Sequence, residues 1–255
     1  MTAPLSTLHP LLRPAGRQAA PRILQTGYPR LDTALHEGGW PLGALTELLP
    51  RVPGQGELAL LAPALGEALR RPGWLVLVTP PGLPHAPGWA AAGVGVERVL
   101  VLRPGTPRDW LWAVDQAARA GQPAVLAWPG RVALDGKHLR RLQLAAEEGG
   151  GLLVLSRRPG RAAEPSPAAL RLRLQPGRAA LELEILKQRG HWGGQALSVP
   201  LPWPASPPPP PSAWMKETST IPPARVRPLR PLPAQAGAGQ HIPLTEYSTG
   251  AIFRS

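Results

Sequence analysis

The chain has 255 residues, a length that allows one globular domain of about 200 residues with additional tails. It contains no cysteine, which excludes disulfides, thiolate metal sites and cysteine nucleophiles. Lys and Arg number 28 against 16 Asp and Glu, and only three of the 28 are lysine. This predicts a basic, arginine-rich surface suited to phosphate or carboxylate recognition, although GC-rich codon usage explains the same composition.

Neither a membrane span nor a leader is predicted. No apolar run approaches the ~20 residues that a transmembrane helix needs. The amino terminus lacks a cationic region, and Pro4, Pro10 and Arg13 interrupt its apolar stretch, which is not typical of a signal peptide. The six histidines form no pair at helical spacing, so no metal site is expected. We therefore expect a cytoplasmic protein that does not contact a membrane.

Composition divides the chain into three regions. Residues 1–22 are aperiodic and rich in Pro and Arg, which predicts a mobile arm. Residues 23–200 carry the patterns of a folded core. Between Pro200 and Pro233, 13 of 34 residues are proline, which is incompatible with a packed core. Residues 201–255 are therefore predicted to be a Pro-rich, largely disordered tail or polyproline II linker.

The core begins with alternating strand and helix patterns. Short apolar runs typical of strands buried on both faces of a parallel sheet occupy residues 44–49, 74–78, 99–102, 124–128 and 152–155. Apolar residues at helical spacing predict helices around residues 61–69, 110–118 and 139–146, the last ended by the glycine run Gly149-Gly150-Gly151. Pro63 fits the first of these helices only if it lies in the first turn. The alternation predicts a doubly wound α/β sheet with right-handed crossovers.

The period changes to two near the end of the core. Residues 169–174 and 180–186 alternate apolar and polar side chains around a turn at residues 175–178. This pattern predicts an antiparallel hairpin with one solvated face. The outer face of the first strand carries arginine and that of the second carries glutamate, so we expect cross-strand ion pairs.

A distinctive run precedes and includes the first strand. It reads TGYPRLDTAL at residues 26–35 and GGWPLGALTEL at residues 38–48. This run resembles the entry to a RecA-type ATPase core, in which TG…LD…L…GG-x-P-x-G-x-x-x-E leads into the strand before the phosphate loop. The resemblance implies a RecA-like P-loop NTPase fold, with the phosphate loop at residues 50–57.

The loop at that position lacks the groups that bind a nucleotide. A working phosphate loop needs a lysine for the phosphates, a hydroxyl for Mg²⁺ and consecutive backbone N–H donors. The residues found are Pro50, Arg51, Pro53, Gly54, Gln55, Gly56 and Glu57. The two prolines have no N–H, and the Glu57 carboxylate stands where the hydroxyl belongs.

The catalytic carboxylates of a RecA-type enzyme are also absent from their expected positions. The resemblance places a glutamate after the 75–78 strand, where Thr79 and Pro80 stand, and an aspartate after the 124–127 strand, where Trp128 and Pro129 stand. We therefore expect no catalytic residue, no cofactor and no ATP hydrolysis. A residual ATPase with an unusual site is the alternative.

Further stretches are similar to one family of RecA-like proteins. These are the degenerate loop, Thr79-Pro80-Pro81, Ala127-Trp128-Pro129, LQLAAE at 142–147 and SPAALRL at 166–172. Over about residues 26–201 the chain resembles the ImuA family, accessory proteins of SOS-induced translesion DNA synthesis in bacteria. Membership implies an ImuB-like, Y-family-related protein and an error-prone DnaE-type polymerase as partners. Contact with RecA or self-association is a further expectation, and a SulA-like cell-division inhibitor is the alternative within the fold.

Six basic residues are candidates for contact with DNA or a partner. They are Arg140 and Arg141 on the third predicted helix, Arg157 and Arg158 after the 152–155 strand, and Lys187 and Arg189 after the hairpin. The resemblance assigns them no role. A solvated basic face is the alternative interpretation.

Overall fold

The computed structural model describes residues 23–201 except 53, 55, 83, 178, 179 and 192. Within these residues the chain forms an eight-stranded, mostly parallel sheet with helices on both faces, and a separate two-stranded sheet. The predicted α/β class is confirmed, and the architecture is compatible with Rossmann-like and P-loop-like folds. The predicted arm, residues 1–22, and the predicted tail beyond residue 201 lie outside the described residues.

The small sheet pairs β1 (Ile23–Leu24) with β2 (Trp40–Pro41). The strands of the main sheet are β3 (Ala44–Pro50), β4 (Leu75–Val78), β5 (Val99–Leu102), β6 (Ala124–Ala127), β7 (Leu152–Ser156), β8 (Leu170–Pro176), β9 (Leu181–Gln188) and β10 (Gln195–Val199). The helices described are α1 (Pro29–Ala34), α2 (Glu57–Ala68), α3 (Ala86–Ala91), α4 (Pro107–Arg119) and α5 (Gly136–Gly149).

The main sheet has the order β10-β9-β8-β3-β7-β6-β4-β5. The six strands from β8 to β5 are parallel to one another, and β9 and β10 continue the sheet antiparallel. All five apolar runs of the sequence form strands here. Four of them, β3, β4, β6 and β7, are buried along their whole length, because helices cover both faces of the sheet. The predicted burial is wrong for β5, which lies at the edge of the described sheet and is only partly buried.

Two hydrophobic cores lie on opposite faces of the sheet. On one face, Leu60 and Leu65 of α2 pack with Leu48 and Leu77. On the other face, residues of α4 and α5 pack with the strand residues that point the other way, among them Val76 and Leu155. Successive side chains of a strand point to opposite faces of the sheet. Leu48 of β3 faces α2, so Glu47, the residue before it, points to the face covered by α4 and α5.

Pro63 lies inside α2, not in its first turn, so that part of the prediction is wrong. The helix begins at Glu57, which places the proline six residues into it. A helical proline has no N–H to offer to the carbonyl four residues earlier, here Ala59. The side chain of Tyr28 donates to that carbonyl instead, so the proline is accommodated without a lost hydrogen bond.

The predicted hairpin is formed by β8 and β9, and a third strand, β10, pairs with β9. Arg173 and Glu184 are register partners and form the expected cross-strand ion pair. Arg171 does not share this solvated face as predicted. It is buried and pairs with Glu47 on the neighbouring strand β3, because residues 157–169 cross over this end of the sheet.

Candidate functional site

The loop between β3 and α2, residues 51–56, lies where the resemblance places the degenerate phosphate loop, residues 50–57. Two of its glycines, Gly54 with φ +87° and Gly56 with φ +109°, have the left-handed backbone that glycine adopts without strain. Pro53 and Gln55 lie outside the described residues. The loop ends at the amino terminus of the twelve-residue helix α2.

The Glu57 carboxylate folds back onto this β3–α2 loop. Its Oε1 accepts a hydrogen bond from the Gly54 N–H at 2.6 Å, and the residue is only 1% exposed. As the first residue of α2, Glu57 places its negative charge at the positive end of the helix dipole. A phosphate loop offers this kind of environment to a bound phosphate, whereas here a carboxylate of the chain itself lies in it.

Two leucines cover Gly56. A Cβ added at this glycine would lie 3.2 Å from the Cδ1 atoms of both Leu181 and Leu201. Leu201 is the last residue that the structure describes, and it packs against the core on the α2 side. Leu201 therefore lies beside the Gly56 end of the β3–α2 loop.

The carboxyl ends of β4, β6 and β7 form one row next to this loop. Val78, Ala127 and Leu155 are register partners, so the residues that follow them, Thr79, Trp128 and Ser156, are aligned. Among the residues that the structure describes, the buried Oγ1 of Thr79, Nε1 of Trp128 and Oγ of Ser156 have no hydrogen-bond partner. This row contains hydroxyl and indole groups, but none of the three side chains is a carboxylate that could orient a metal ion or act as a base.

Thr79 also has an unusual backbone. Its φ of +53° makes it the one non-glycine residue with positive φ in the described part of the chain. A β-branched residue is strained in this conformation. The Thr79 N–H donates to the Leu102 carbonyl at 2.8 Å, which ties the strained turn to the edge strand β5.

A buried ion cluster joins three adjacent strands. Glu47 on β3 is completely buried. Its Oε1 accepts from Arg157 Nη1 at 2.9 Å, and its Oε2 accepts from Arg171 Nε at 2.7 Å. Arg157 directly follows β7, and Arg171 lies on β8 as the register partner of Glu47. One carboxylate therefore links β7, β3 and β8.

The same cluster holds the connection between β7 and β8, residues 157–169. The Arg171 guanidinium donates to the carbonyl oxygens of Arg161 at 2.8 Å and of Ala162 and Glu164 at 3.0 Å each. Arg157 donates to the Glu164 carboxylate at 3.1 Å. Lys187 on β9 donates to the Ser166 carbonyl at 2.7 Å. The connection is thus fixed by cations along most of its length.

Lys187 lies across the β8–β9 pair from Arg171. Burial lowers the pKa of Lys187 below its ordinary 10.5, and repulsion from Arg171 and Arg189 lowers it further. The Glu47 carboxylate acts in the opposite direction on this pKa. Lys187 is therefore a partly desolvated cation in a basic neighbourhood.

A second ion cluster joins α4 to α5. The Asp115 side chain on α4 is 3% exposed. Arg141 of α5 donates to Oδ1 at 3.1 Å and to Oδ2 at 3.0 Å, and Arg119 donates to Oδ2 at 3.3 Å. Burial alone raises the pKa of Asp115, but the hydrogen bonds from Arg141 and Arg119 outweigh it and hold the pKa below the ordinary 3.8.

The six basic candidates differ in their exposure to solvent, because the two ion clusters bind some of them and not others. Arg140, Arg158 and Arg189 are exposed to solvent. Arg141 is partly exposed but forms the bidentate pair with Asp115, and Lys187 is half-buried. Arg157 is 3% exposed and is bound to Glu47 and Glu164, so its guanidinium is not on the surface. Contact of these residues with DNA or a partner stays a prediction.

Sequence reasoning gave no role to Glu47 or Asp115. The spacing of Asp115 and Arg119, four residues apart on a helix, is a signal that indicates their pairing. Glu47 and Arg157 are 110 residues apart, and no local pattern indicates that they meet.

The described residues offer no metal site and no membrane helix. No group of three or more His, Cys, Asp or Glu side chains among them is arranged to hold a metal ion. None of the helices described is long and apolar enough to cross a bilayer.

Comparison with protein-family models and with curated protein sequences gave no match. The class of the protein therefore rests on its architecture and its residues. It is an α/β protein with a mostly parallel sheet flanked by helices. Its β3–α2 loop is closed by the chain's own carboxylate.

Proposed function

We propose that the protein is a non-catalytic, RecA-like accessory protein of the ImuA type. In this role it joins an ImuB-like protein to a DnaE-type polymerase on DNA, in an SOS-induced, error-prone translesion synthesis complex. The contact between Glu57 and Gly54 carries the proposal, because a buried carboxylate at the amino terminus of α2 repels a nucleotide phosphate.

The entry motif has structural roles that explain its presence without catalysis. The Thr26 N–H donates to Asp32 Oδ1 at 2.9 Å and fixes the start of α1. Tyr28 supplies the hydrogen bond to the carbonyl in α2, and Glu47 organises the connection between β7 and β8. These three interactions support a scaffold in which motif residues are used for packing.

The free edge of β5 supports a surface for a protein partner. In the part of the chain that the structure describes, β5 pairs on one side only, with β4. The Leu102 carbonyl points toward β4, since it accepts from Thr79, so the backbone of Val101 points away from the sheet. Val101 is also 36% exposed. An extended segment of a partner can add to such an edge through main-chain hydrogen bonds.

Reconstitution tests the bridging role. The purified chain is mixed with an ImuB-like protein and a DnaE-type polymerase, and co-elution is followed by size-exclusion chromatography. Val101→Pro removes the outward N–H, whereas Val101→Thr keeps it and serves as the matched control. We expect the wild type and Val101→Thr to co-elute with a partner and Val101→Pro to elute alone, with similar melting temperatures.

The outcomes test the bridging role and the β5 edge as its contact surface independently. A wild-type chain that elutes apart from both proteins contradicts the bridging role. A Val101→Pro variant that binds as well as Val101→Thr contradicts the β5 edge as the contact.

A gene deletion tests the role in cells. We expect loss of damage-induced mutagenesis with normal unstressed growth and normal cell length. Filamentation on overexpression, with mutagenesis intact in the deletion strain, supports the SulA-like alternative instead.

A further inference from the structure

Positive charge is concentrated around the connection between β7 and β8. Six cations gather there with two carboxylates, Glu47 and Glu164. The cations are Arg157, Arg158, Arg161, Arg171, Lys187 and Arg189. Among these eight side chains the excess is four positive charges, and the Glu47 carboxylate is wholly buried. Glu37 is a further carboxylate that lines the same small cavity as Arg189.

The two carboxylates are already committed to partners. Glu47 binds Arg157 and Arg171, and Glu164 binds Arg157 and Arg161. Arg158 and Arg189 are exposed and have no ion pair among the described residues. Lys187 donates to a neutral carbonyl, so its charge is not compensated by that bond. Three cations are thus left for an external anion.

The scaffold under these cations is fixed. Arg171 holds the carbonyls of residues 161, 162 and 164, and Lys187 holds that of Ser166. Arg158 immediately precedes a 3₁₀ turn at Pro159–Arg161 within this connection. A surface that is ordered before binding loses less conformational entropy when a ligand arrives.

The character of the surface favours a nucleic acid over a protein. Protein interfaces have an apolar centre, whereas interfaces with nucleic acids are polar and strongly positive. The large apolar side chains exposed in the described residues are Val52, Val96, Val101 and Leu144. None of them belongs to the connection or to the end of β9.

We propose that Arg158, Lys187 and Arg189 form a basic patch that binds the phosphate groups of a nucleic-acid backbone. The inference rests on the proposed function in that a translesion complex works on DNA, and it assigns the contact to this patch instead of α5. Binding to backbone phosphates is independent of base sequence and weakens steeply with salt through counterion release.

A pair of charge-reversal variants tests the basic patch. The probe is a fluorescein-labelled, single-stranded DNA oligonucleotide of mixed sequence, and affinity is measured by fluorescence anisotropy over a range of salt concentrations. The test variant is Arg158→Glu with Arg189→Glu. The control is Arg70→Glu with Arg108→Glu, which changes the net charge equally at two exposed arginines outside the patch.

We expect the test variant to bind at least about tenfold more weakly than the control at low salt. Its slope of log affinity against log salt should be shallower by about 1.4, because each phosphate contact on a single strand contributes about 0.7. Arg158→Lys with Arg189→Lys should retain most of the affinity, since the charges are kept. All of the substituted side chains are exposed, so the melting temperatures should agree.

Three results overturn the basic patch. One is a wild-type chain that does not bind the oligonucleotide, and another is equal weakening by test and control variants, which indicates a response to overall charge. The third is a test variant that binds like the wild type. Co-elution with the protein partners is measured without DNA, so failure of the basic patch and failure of the bridging role are distinguishable.

Discussion

The Tyr28 hydroxyl donates a hydrogen bond to the Ala59 carbonyl oxygen at 3.0 Å, and Ala59 is the residue whose carbonyl Pro63 leaves without a helical donor. Gly27, the neighbour of Tyr28, packs so closely on the Pro63 ring that a Cβ there would overlap it. Burial raises the pKa of Tyr28, so the phenol stays protonated as a donor at neutral pH. The entry motif and the helix proline are therefore coupled.

A double-mutant cycle measures this coupling. Tyr28→Phe should destabilise the wild type by about 1 kcal/mol, because it leaves the Ala59 carbonyl without its donor. In a Pro63→Ala background the helix regains its own N–H donor, so the same substitution should cost less, with a coupling of at least about 0.5 kcal/mol. Denaturant unfolding supplies the four free energies. Equal costs in both backgrounds would contradict the coupling.

Arg140 and Arg141 should differ in their contribution to stability, because Arg141 is the one that pairs with Asp115. Arg141→Ala should destabilise the core by roughly 1–3 kcal/mol, since it removes a bidentate partner from a buried carboxylate. Arg140→Ala, at an exposed position next to it, should stay within about 0.5 kcal/mol of the wild type. Chemical denaturation of both variants at neutral pH checks this. A larger loss of stability for Arg140→Ala than for Arg141→Ala would contradict the stabilising role of the pair between Asp115 and Arg141.

The ion pair between Asp115 and Arg141 also predicts that the stability of the fold depends on pH. The pKa of Asp115 is lowered in the folded protein, so its contribution to stability is fully present above the unfolded value of about 3.8. The contribution is lost as pH falls from there through the folded pKa. The stability difference between the wild type and Arg141→Ala should therefore be constant from pH 7 to about pH 5 and shrink below about pH 4. A difference that stays unchanged down to pH 2 would rule out the ion pair as its origin.

Glu47 should control the order of the connection between β7 and β8. Glu47→Gln removes the buried charge that compensates Arg157 and Arg171, at a cost of about 3–5 kcal/mol. Amides of residues 157–169 should then exchange hydrogen faster than in the wild type, while those of β4 and β6 change least.

Glu184→Gln is the matched control for Glu47→Gln. Glu184 pairs with Arg173 on the solvated face of the hairpin, where an ion pair contributes about 1 kcal/mol or less. If the connection keeps its protection in Glu47→Gln, or loses it equally in Glu184→Gln, the organising role of Glu47 is wrong.

The closed β3–α2 loop predicts that the protein does not take up nucleotide. Titration of the purified chain with Mg-ATP in a calorimeter should give no heat of specific binding, because Glu57 places a carboxylate where the phosphates would lie. Phosphate release in a hydrolysis assay should match the rate without protein. A micromolar dissociation constant would contradict the non-catalytic interpretation.

The elements that the sequence predicted share one property: each depends on local pattern. Apolar runs such as residues 75–78 form strands because burial on two faces requires continuous hydrophobicity. Gly150 ends α5 in the left-handed conformation, in line with the predicted stop at the glycine run. The position of the β3–α2 loop was predictable for the same reason, since it lies between an apolar strand and a helix.

The features that the sequence did not predict depend on distant partners. Pro63 is tolerated through the hydrogen bond between Tyr28 and the Ala59 carbonyl, two residues that are 31 positions apart along the chain. Arg171 is buried through Glu47, 124 residues away, although its alternating pattern indicated a solvated face. Periodicity places a side chain on one face of a strand, but only tertiary structure decides what covers that face.

The contact between Glu57 and Gly54 has a thermodynamic consequence. A free anion stabilises a fold in proportion to the logarithm of its concentration, so the stability of a nucleotide-binding loop follows the supply of nucleotide. The Glu57 carboxylate is covalently part of the chain, and its local concentration at the Gly54 N–H is the same under all conditions. The contact between Glu57 and Gly54 is therefore independent of the nucleotide supply.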